Sequence, residues 1–225
     1  MSKGWTLVTG AAKRVGADIA RELASAGHKI IVHYKTSEDL AKKLVQELGS
    51  DSQMIQGDFT TPESTQEFIG KLPSDIHYLV NNVGNYDTSS ALESPLEMWR
   101  DLYQTNFFAP LALIQALAPS LKALVNLGNA GLNHRNIGSY ASPYLHTKYS
   151  LYCLTISLAK ELAEQKVRVN MVSPGVLENS VDKKDRRVPF GRWGTNDEIA
   201  RAVRFLLEEE YITGQNLEVA GGYKL

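Results

Sequence analysis

The chain has a single cysteine, Cys153, so no internal disulfide can staple it. It also lacks a charge bias: 24 Lys and Arg stand against 25 Asp and Glu, a net charge of −1. That excludes the basic footprint of a nucleic-acid binder and the polybasic patch of a membrane-surface protein. No apolar run approaches the roughly 20 residues that span a bilayer. The most apolar stretch, Phe107 to Pro119, is shorter and is broken by Gln115. The five histidines are scattered without metal-ligand spacing, so no metal site is expected. A strand-like segment follows Met1 so closely that no signal peptide is expected. These exclusions lead to the expectation of a soluble, cytoplasmic protein of 225 residues.

What is present is a regular alternation. Trp5 to Thr9 reads as a short β run stopped by Gly10, and Val15, Ile19 and Leu23 then recur at helical spacing up to Gly27. Lys29 to Tyr34 is a second β-rich run, which completes a βαβ unit and implies a parallel sheet. Further strands are predicted at 53–56, 76–81, 123–127, 167–172 and 215–219. Helices are predicted at 37–48, 62–71, 95–121, 142–164 and 196–207. Seven strands alternating with helices predict a single-domain α/β fold, a doubly wound parallel sheet of the Rossmann type. Residues 1–90 form its nucleotide-binding half and 91–225 its catalytic and substrate part. One long irregular stretch, Ser173 to Gly194, follows a strand end, where such sheets place ligands. Its charged run, Asp182 to Arg187, reads equally well as a substrate lid or a solvated loop.

Two motifs carry chemistry. The first, Thr9-Gly10-Ala11-Ala12-Lys13-Arg14-Val15-Gly16, joins the first strand to the first helix. Small residues there let the backbone approach a pyrophosphate, and the helix N-terminus supplies free N–H groups. Lys13 and Arg14 add two cations that suit an extra phosphate. The second strand ends Tyr34-Lys35-Thr36-Ser37, with no carboxylate where NAD sites hold a ribose 2′-OH. NADP(H) is therefore expected rather than NAD(H). The second motif is Tyr144-x-x-x-Lys148. Four residues of helix set a phenol and an amine on one face, and a nearby ammonium makes the phenol a better proton donor. Tyr and Lys at this spacing are common, so the pair means little without its context.

With these motifs go Asp58 after the third strand and Asn81-Asn82-Val83-Gly84 after the fourth. Asn106 in the long helix and Pro174-Gly175 after the sixth strand complete the set. Taken together they resemble the short-chain dehydrogenase/reductase family over essentially the whole chain. The resemblance implies that Asp58, with Phe59 beside it, meets the adenine. Asn82, Val83 and Gly84 run along the adenosine ribose, and Pro174, Gly175 and Val176 lie by the nicotinamide. Tyr144 donates the proton, Lys148 binds the nicotinamide ribose and lowers the Tyr144 pKa, and Asn106 holds a water. Proline at 110 cannot donate to the Asn106 carbonyl, so a kink is expected there. The family resemblance also implies a homodimer or homotetramer, paired through the helices at 95–121 and 142–164.

Within the family the chain is most similar to the pteridine and dihydropteridine reductases. The fingerprint with Arg14 in place of a glycine, His33-Tyr34-Lys35-Thr36-Ser37, and the end from Tyr211 to Leu225 carry that likeness. It implies that Tyr86 stacks on a pterin and that Arg14 also reaches substrate. The alternative is a 3-oxoacyl-[acyl-carrier-protein] reductase, and a third reading is an NADP(H)-binding protein with little turnover. The chain departs from the family pattern at a key point. The usual substrate-orienting serine is missing: no Ser or Asp lies between Asn126 and Asn133, and Asn129 takes the place. Val83, Ala220 and the missing threonine after Gly175, for which Asn179 or Ser180 stand in, are further departures. His134 and Arg135 read as surface residues of the loop near the substrate side.

Overall fold

A computed structural model of the chain describes residues 4–132, 139–180 and 188–223. The seven strands are β1 (Trp5–Val8), β2 (Lys29–Tyr34), β3 (Ser52–Gln56), β4 (Ile76–Asn81), β5 (Ala123–Leu127), β6 (Arg168–Pro174) and β7 (Asn216–Val219). They form one sheet in the order β3-β2-β1-β4-β5-β6-β7, and every pairing is parallel. The order reverses between β1 and β4. The crevice outside the carboxyl ends of these two strands is where this topology leaves room for a ligand.

Side chains alternate across the strands, and both faces are apolar, as a sheet covered by helices on each side requires. Val8, Val32, Val80, Val125 and Val172 face one layer. It contains α1 (Arg14–Ser25) and α7 (Asn196–Glu208), which contribute Ile19, Leu23, Val203 and Leu207. Leu7, Ile31, Leu79, Leu124 and Val169 face the other. There α3 (Pro62–Ile69), α5 (Ala109–Leu117) and α6 (Ser142–Glu161) bring Phe68, Leu113, Ile114 and Leu158. The remaining helices are α2 (Glu38–Leu48) and α4 (Leu96–Tyr103). Among the described residues no helix is long and apolar enough to cross a membrane.

The predicted single helix over 95–121 is not continuous. α4 and α5 are joined by a π-helical turn, Gln104–Phe108, in which the Ala109 N–H reaches back five residues to the Gln104 carbonyl. Pro110 is the cause within reach: with no N–H it cannot donate to Asn106, and widening the preceding turn accommodates its ring. The predicted kink is therefore a π-turn, centred on Asn106. The helix predicted to end at 164 stops at Glu161. The charged run 182–187, His134, Arg135 and the last two residues of the C-terminal motif lie outside the described residues.

A buried polar ladder fixes α6 against the sheet. The Asn81 amide donates to Asn126 Oδ1 (2.9 Å), and the Asn126 amide donates to Thr155 Oγ1 (3.0 Å) on α6. Unpaired amides in a core are costly, so this ladder sets the registry of the helix that carries Tyr144 and Lys148.

Candidate active site

The loop between β1 and α1 is held from three sides. Thr9 Oγ1 accepts from the N–H groups of Asn82 (2.9 Å) and Val83 (3.1 Å), which ties the end of β1 to the end of β4. The Asn82 amide donates to the carbonyls of Thr9 (2.8 Å) and Gly10 (3.3 Å). Asn82 thus spends its donors on the loop. Gly10 has φ +63°, a left-handed conformation that favours glycine. A Cβ on Gly16 would come within 2.3 Å of the Gly10 carbonyl oxygen, so loop and helix touch there with no room for a side chain.

Arg14 occupies a glycine's backbone conformation: its φ is +53°. For an arginine this costs about 1–3 kcal/mol. The α1 N-terminus has no acidic residue in its first turn and no side-chain cap, and Lys13 and Arg14 add positive charge where the helix dipole is already positive. The strain and the two cations at a helix N-terminus oppose the isolated fold, and the uncompensated positive charge favours a bound anion.

Two cavities flank this loop. The first, of about 190 Å³, lies over β1, β2 and β3. Gly10, Lys13, Tyr34, Lys35 and Thr36 line it, with Asp58, Phe59 and Val83 opposite. These are the residues expected at the adenosine end. Lys35 is paired across this cavity: its ammonium lies 3.0 Å from Asp58 Oδ2, which β3 brings beside the end of β2. Partial burial raises the Asp58 pKa, but Lys35 and two bonds from Thr60 outweigh it, and the carboxyl titrates below its ordinary range.

The second cavity, of about 310 Å³, gathers residues from across the chain. Arg14, Val15, Asn82 and Gly84 form one wall; Asn129, Tyr144 and Lys148 form another, with Tyr86 between them. Pro174, Gly175 and Val176 from the end of β6 close it, joined by Asn179 and Ser180. Consecutive cations of one loop thus face different chambers, Lys13 the first and Arg14 the second. Two larger hollows, of about 700 and 800 Å³, lie at the outer face of α4 and beyond the amino ends of the strands. Neither touches the glycine loop or the Tyr144–Lys148 pair, so chemistry rather than volume locates the site.

Lys148 is buried, and its ammonium donates to the Leu127 carbonyl at 2.8 Å. Burial lowers its pKa to about 8. It lies 5.9 Å from the centre of the Tyr144 ring, and Tyr86 meets Tyr144 edge to face at 4.8 Å. The start of α6 is fixed by the segment after β4: the N–H groups of Ala141 and Ser142 donate to the Thr88 and Ser89 carbonyls. This is what carries Tyr86 to Tyr144.

Asn106 stands behind the pair. Its Oδ1 accepts from the Asn85 N–H (2.7 Å), and its amide donates to the Asn85 carbonyl (2.9 Å) and to Thr147 Oγ1 (3.0 Å). A Cβ on Gly84 would approach the Lys148 ammonium to 3.3 Å and Asn106 Oδ1 to 3.5 Å, so glycine there keeps the approach to both open. Asn129 faces the second cavity, with one amide hydrogen donated to the Ala130 carbonyl (2.9 Å) and a second left for another acceptor. Ser180 Oγ accepts from the Leu177 N–H (2.9 Å), which keeps its hydroxyl at this wall beside Asn179, the other stand-in for the missing threonine.

Three contributors had no role assigned from the sequence, although Thr9 and His33 lie within its motifs. Thr9 and His33 brace the loop, and Glu218 on β7 accepts from the Gly131 N–H (3.0 Å) beside the substrate wall. Thr9 was visible as part of the loop motif; nothing in the sequence signalled Glu218, which meets Gly131 across 87 residues.

A parallel sheet with a glycine turn at its switch point, beside a tyrosine and a buried lysine, defines a dinucleotide-dependent oxidoreductase of the Rossmann type. A family model described as "Enoyl-(Acyl carrier protein) reductase" matches residues 10–224. A 3-oxoacyl-[acyl-carrier-protein] reductase of Staphylococcus epidermidis is 31% identical over 242 residues, covering 96% of this chain and 97% of the relative. The enzyme of the same name from Escherichia coli K12 is 32% identical over 235 residues, covering 96% and 95%. Among solved structures, a blue fluorescent protein from a metagenomic library, in complex with NADPH, superposes with a TM-score of 0.91 at 26% identity, covering 100% of this chain and 99% of that one. A short-chain dehydrogenase/reductase family protein superposes at 0.89 with 27% identity, covering 98% and 97%. The chain belongs to the short-chain dehydrogenase/reductase family.

Proposed function

We propose that this enzyme reduces the ketone of a 3-oxoacyl thioester with NADPH, using Tyr144 as the proton donor. The observation that carries the reading is the convergence of Tyr144, Lys148 and Asn129 on the cavity that the glycine loop and Arg14 also line. The names of the relatives support the 3-oxoacyl substrate over a pterin.

The residues present fit NADP(H). Gly84 keeps the approach to Lys148 and Asn106 open, where a Cβ would crowd it, and the cationic start of α1 calls for an anion. Lys13, Lys35 and Thr36 would hold the 2′-phosphate, with Lys35 shared between it and Asp58. Asp58 and Phe59 would bound the adenine, and Gly10, Val15 and the α1 N–H groups the pyrophosphate. Val83, Gly84, Pro174, Gly175 and Val176 would flank the ribose and nicotinamide. On this reading residues 1–90 would form the nucleotide half and 91–225 the catalytic part, with β6 also lining the cofactor's chamber. When bound, NADPH supplies the hydride.

The chain's own residues do the rest. Tyr144 delivers a proton from its Oη to the carbonyl oxygen. Lys148, cationic below its pKa of about 8, stabilises the phenolate left behind. Asn106 positions this pair through Thr147, whose hydroxyl donates to the Tyr144 carbonyl (2.7 Å). Asn129 offers its second amide hydrogen to the substrate oxygen, in the role that serine holds elsewhere in the family. A neutral amide can orient and polarise a carbonyl, although it relays no proton.

The second reading, a pterin reductase, draws on Tyr86: it is 40% exposed at the cavity mouth and positioned to stack on a flat heterocycle, with Arg14 opposite. Exposed Leu96 and Phe108, with Tyr149 on α6, support a homodimer or homotetramer paired through these helices. A cytoplasmic location accords with such a substrate.

NADPH and NADH oxidation should be followed with a 3-oxoacyl thioester, a dihydropterin and a simple diketone. The expected result is turnover of the thioester with a clear preference for NADPH. Turnover of the dihydropterin alone would establish the second reading. Tight NADPH binding with no turnover of any substrate would leave a binding protein and sink both.

A further inference from the structure

We propose that His33 is a positioning residue for cofactor binding, an imidazole clasp that sets both the glycine turn and the width of the adenosine cavity. The inference rests on the cofactor reading above, and no role in the site attaches to His33 from the sequence. It sits on β2, 2% exposed, between the two walls of the first cavity.

His33 holds two successive loop amides. Its backbone carbonyl accepts from the Ala11 N–H (2.9 Å), and its Nδ1 accepts from the Gly10 N–H (2.9 Å). On the far edge of the ring, Nε2 faces the Gly57 carbonyl at 3.3 Å, immediately before Asp58 and Phe59. The ring stacks on Phe59 (4.4 Å, 11°) and meets the edge of Phe68 (4.7 Å, 66°). One imidazole therefore spans from the phosphate loop after β1 to the adenine wall after β3.

The chemistry of the two partners dictates its state. A backbone N–H only donates, so Nδ1 must carry the lone pair; a carbonyl only accepts, so Nε2 must carry the hydrogen. Both demand the same neutral tautomer, and an imidazolium would set N–H against N–H. Burial among aromatic rings also disfavours the cation. With the Gly10 and Ala11 N–H groups both tied back to His33, Gly10 is held in its left-handed conformation, and only the amides beyond Ala11 are left to face the anion.

The test uses two variants and one spectrum. His33→Phe keeps the stacked ring and loses both hydrogen bonds; His33→Asn sets an amide oxygen close to where Nδ1 stood. NADPH affinity is measured by fluorescence titration of the folded proteins. His33→Phe should weaken NADPH about ten- to a hundredfold, the scale of one buried donor left unpaired. At saturating NADPH its kcat should stay within about twofold, and His33→Asn should recover most of the lost affinity. A folded His33→Phe that binds NADPH like the wild type, or a His33→Asn no better than His33→Phe, overturns the proposal. If neither variant folds, nitrogen NMR of the ligand-free wild type decides: a bare Nδ1 with Nε2–H is required, and a protonated Nδ1 overturns it. If the wild type has the required tautomer but binds no NADPH, the cofactor reading fails and the positioning role falls with it.

Discussion

Replacing Lys148 with methionine should stabilise the fold at neutral pH while destroying the activity. Burial lowers the Lys148 pKa from the ordinary value of 10.5 to about 8. At roughly 1.4 kcal/mol per pH unit, that difference amounts to about 3 kcal/mol held against folding at pH 7. Methionine matches the length of the stem and removes the charge. It also strands the Leu127 carbonyl that the ammonium now satisfies, at a cost of about 1–2 kcal/mol. The net expectation is a gain of roughly 1–2 kcal/mol.

Its pH dependence identifies the cause. Below about 8 the lysine is charged in both folded and unfolded chains, and the full penalty is present. Between about 8 and 10.5 the unfolded chain still binds the proton that the folded chain has released, so wild-type stability rises with pH relative to the variant. Urea unfolding of both proteins without cofactor, at pH 7 and pH 10, gives the comparison; groups other than residue 148 cancel in the difference. The variant's advantage should shrink by up to about 3 kcal/mol and change sign. A difference independent of pH would show that Lys148 titrates like a surface lysine, and the argument would fail.

The other substitutions separate chemistry from binding. Tyr144→Phe should lower kcat about 10²–10⁴-fold with NADPH affinity unchanged, and single-turnover rates at saturating cofactor check it; retained activity would remove Tyr144 from the reaction. Gly16→Ala forces a methyl into the Gly10 carbonyl at 2.3 Å. It should cost about 1–3 kcal/mol of stability and weaken NADPH at least tenfold, measured by thermal unfolding and titration. Arg14→Gly should relieve the left-handed backbone and stabilise the ligand-free protein by about 1 kcal/mol, while raising the KM of whichever ligand the guanidinium meets; a loss of stability would mean that φ +53° carries no strain here.

Much of this site was legible before the fold was seen, for a physical reason. The glycine turn, the strand and helix beside it and the Tyr144–Lys148 spacing are local patterns, and the backbone geometry of a single segment dictates each of them. Lys35 shows where such reading stops. From the sequence it stood at a strand end with no partner assigned, yet β3 lies beside β2 and brings Asp58 to 3.0 Å. Asn106 shows the same in a helix: proline four residues on predicts a disturbance, but its form, a π-turn, depends on how α4 and α5 pack on the sheet and α6.

The sequence by itself determined the alternation of strands and helices, the phosphate loop and the pairing of a phenol with an amine, because these follow from periodicity and from steric rules within a few residues. Only the tertiary structure decided the sheet order, the clasp of His33 on Gly10, the partner of Lys35, and the commitment of one Asn129 hydrogen to Ala130. It also decided how readily Lys148 gives up its proton. The proton affinity of an amine depends on the water that packing removes around it, and no local pattern records which residues from elsewhere in the chain will exclude that water.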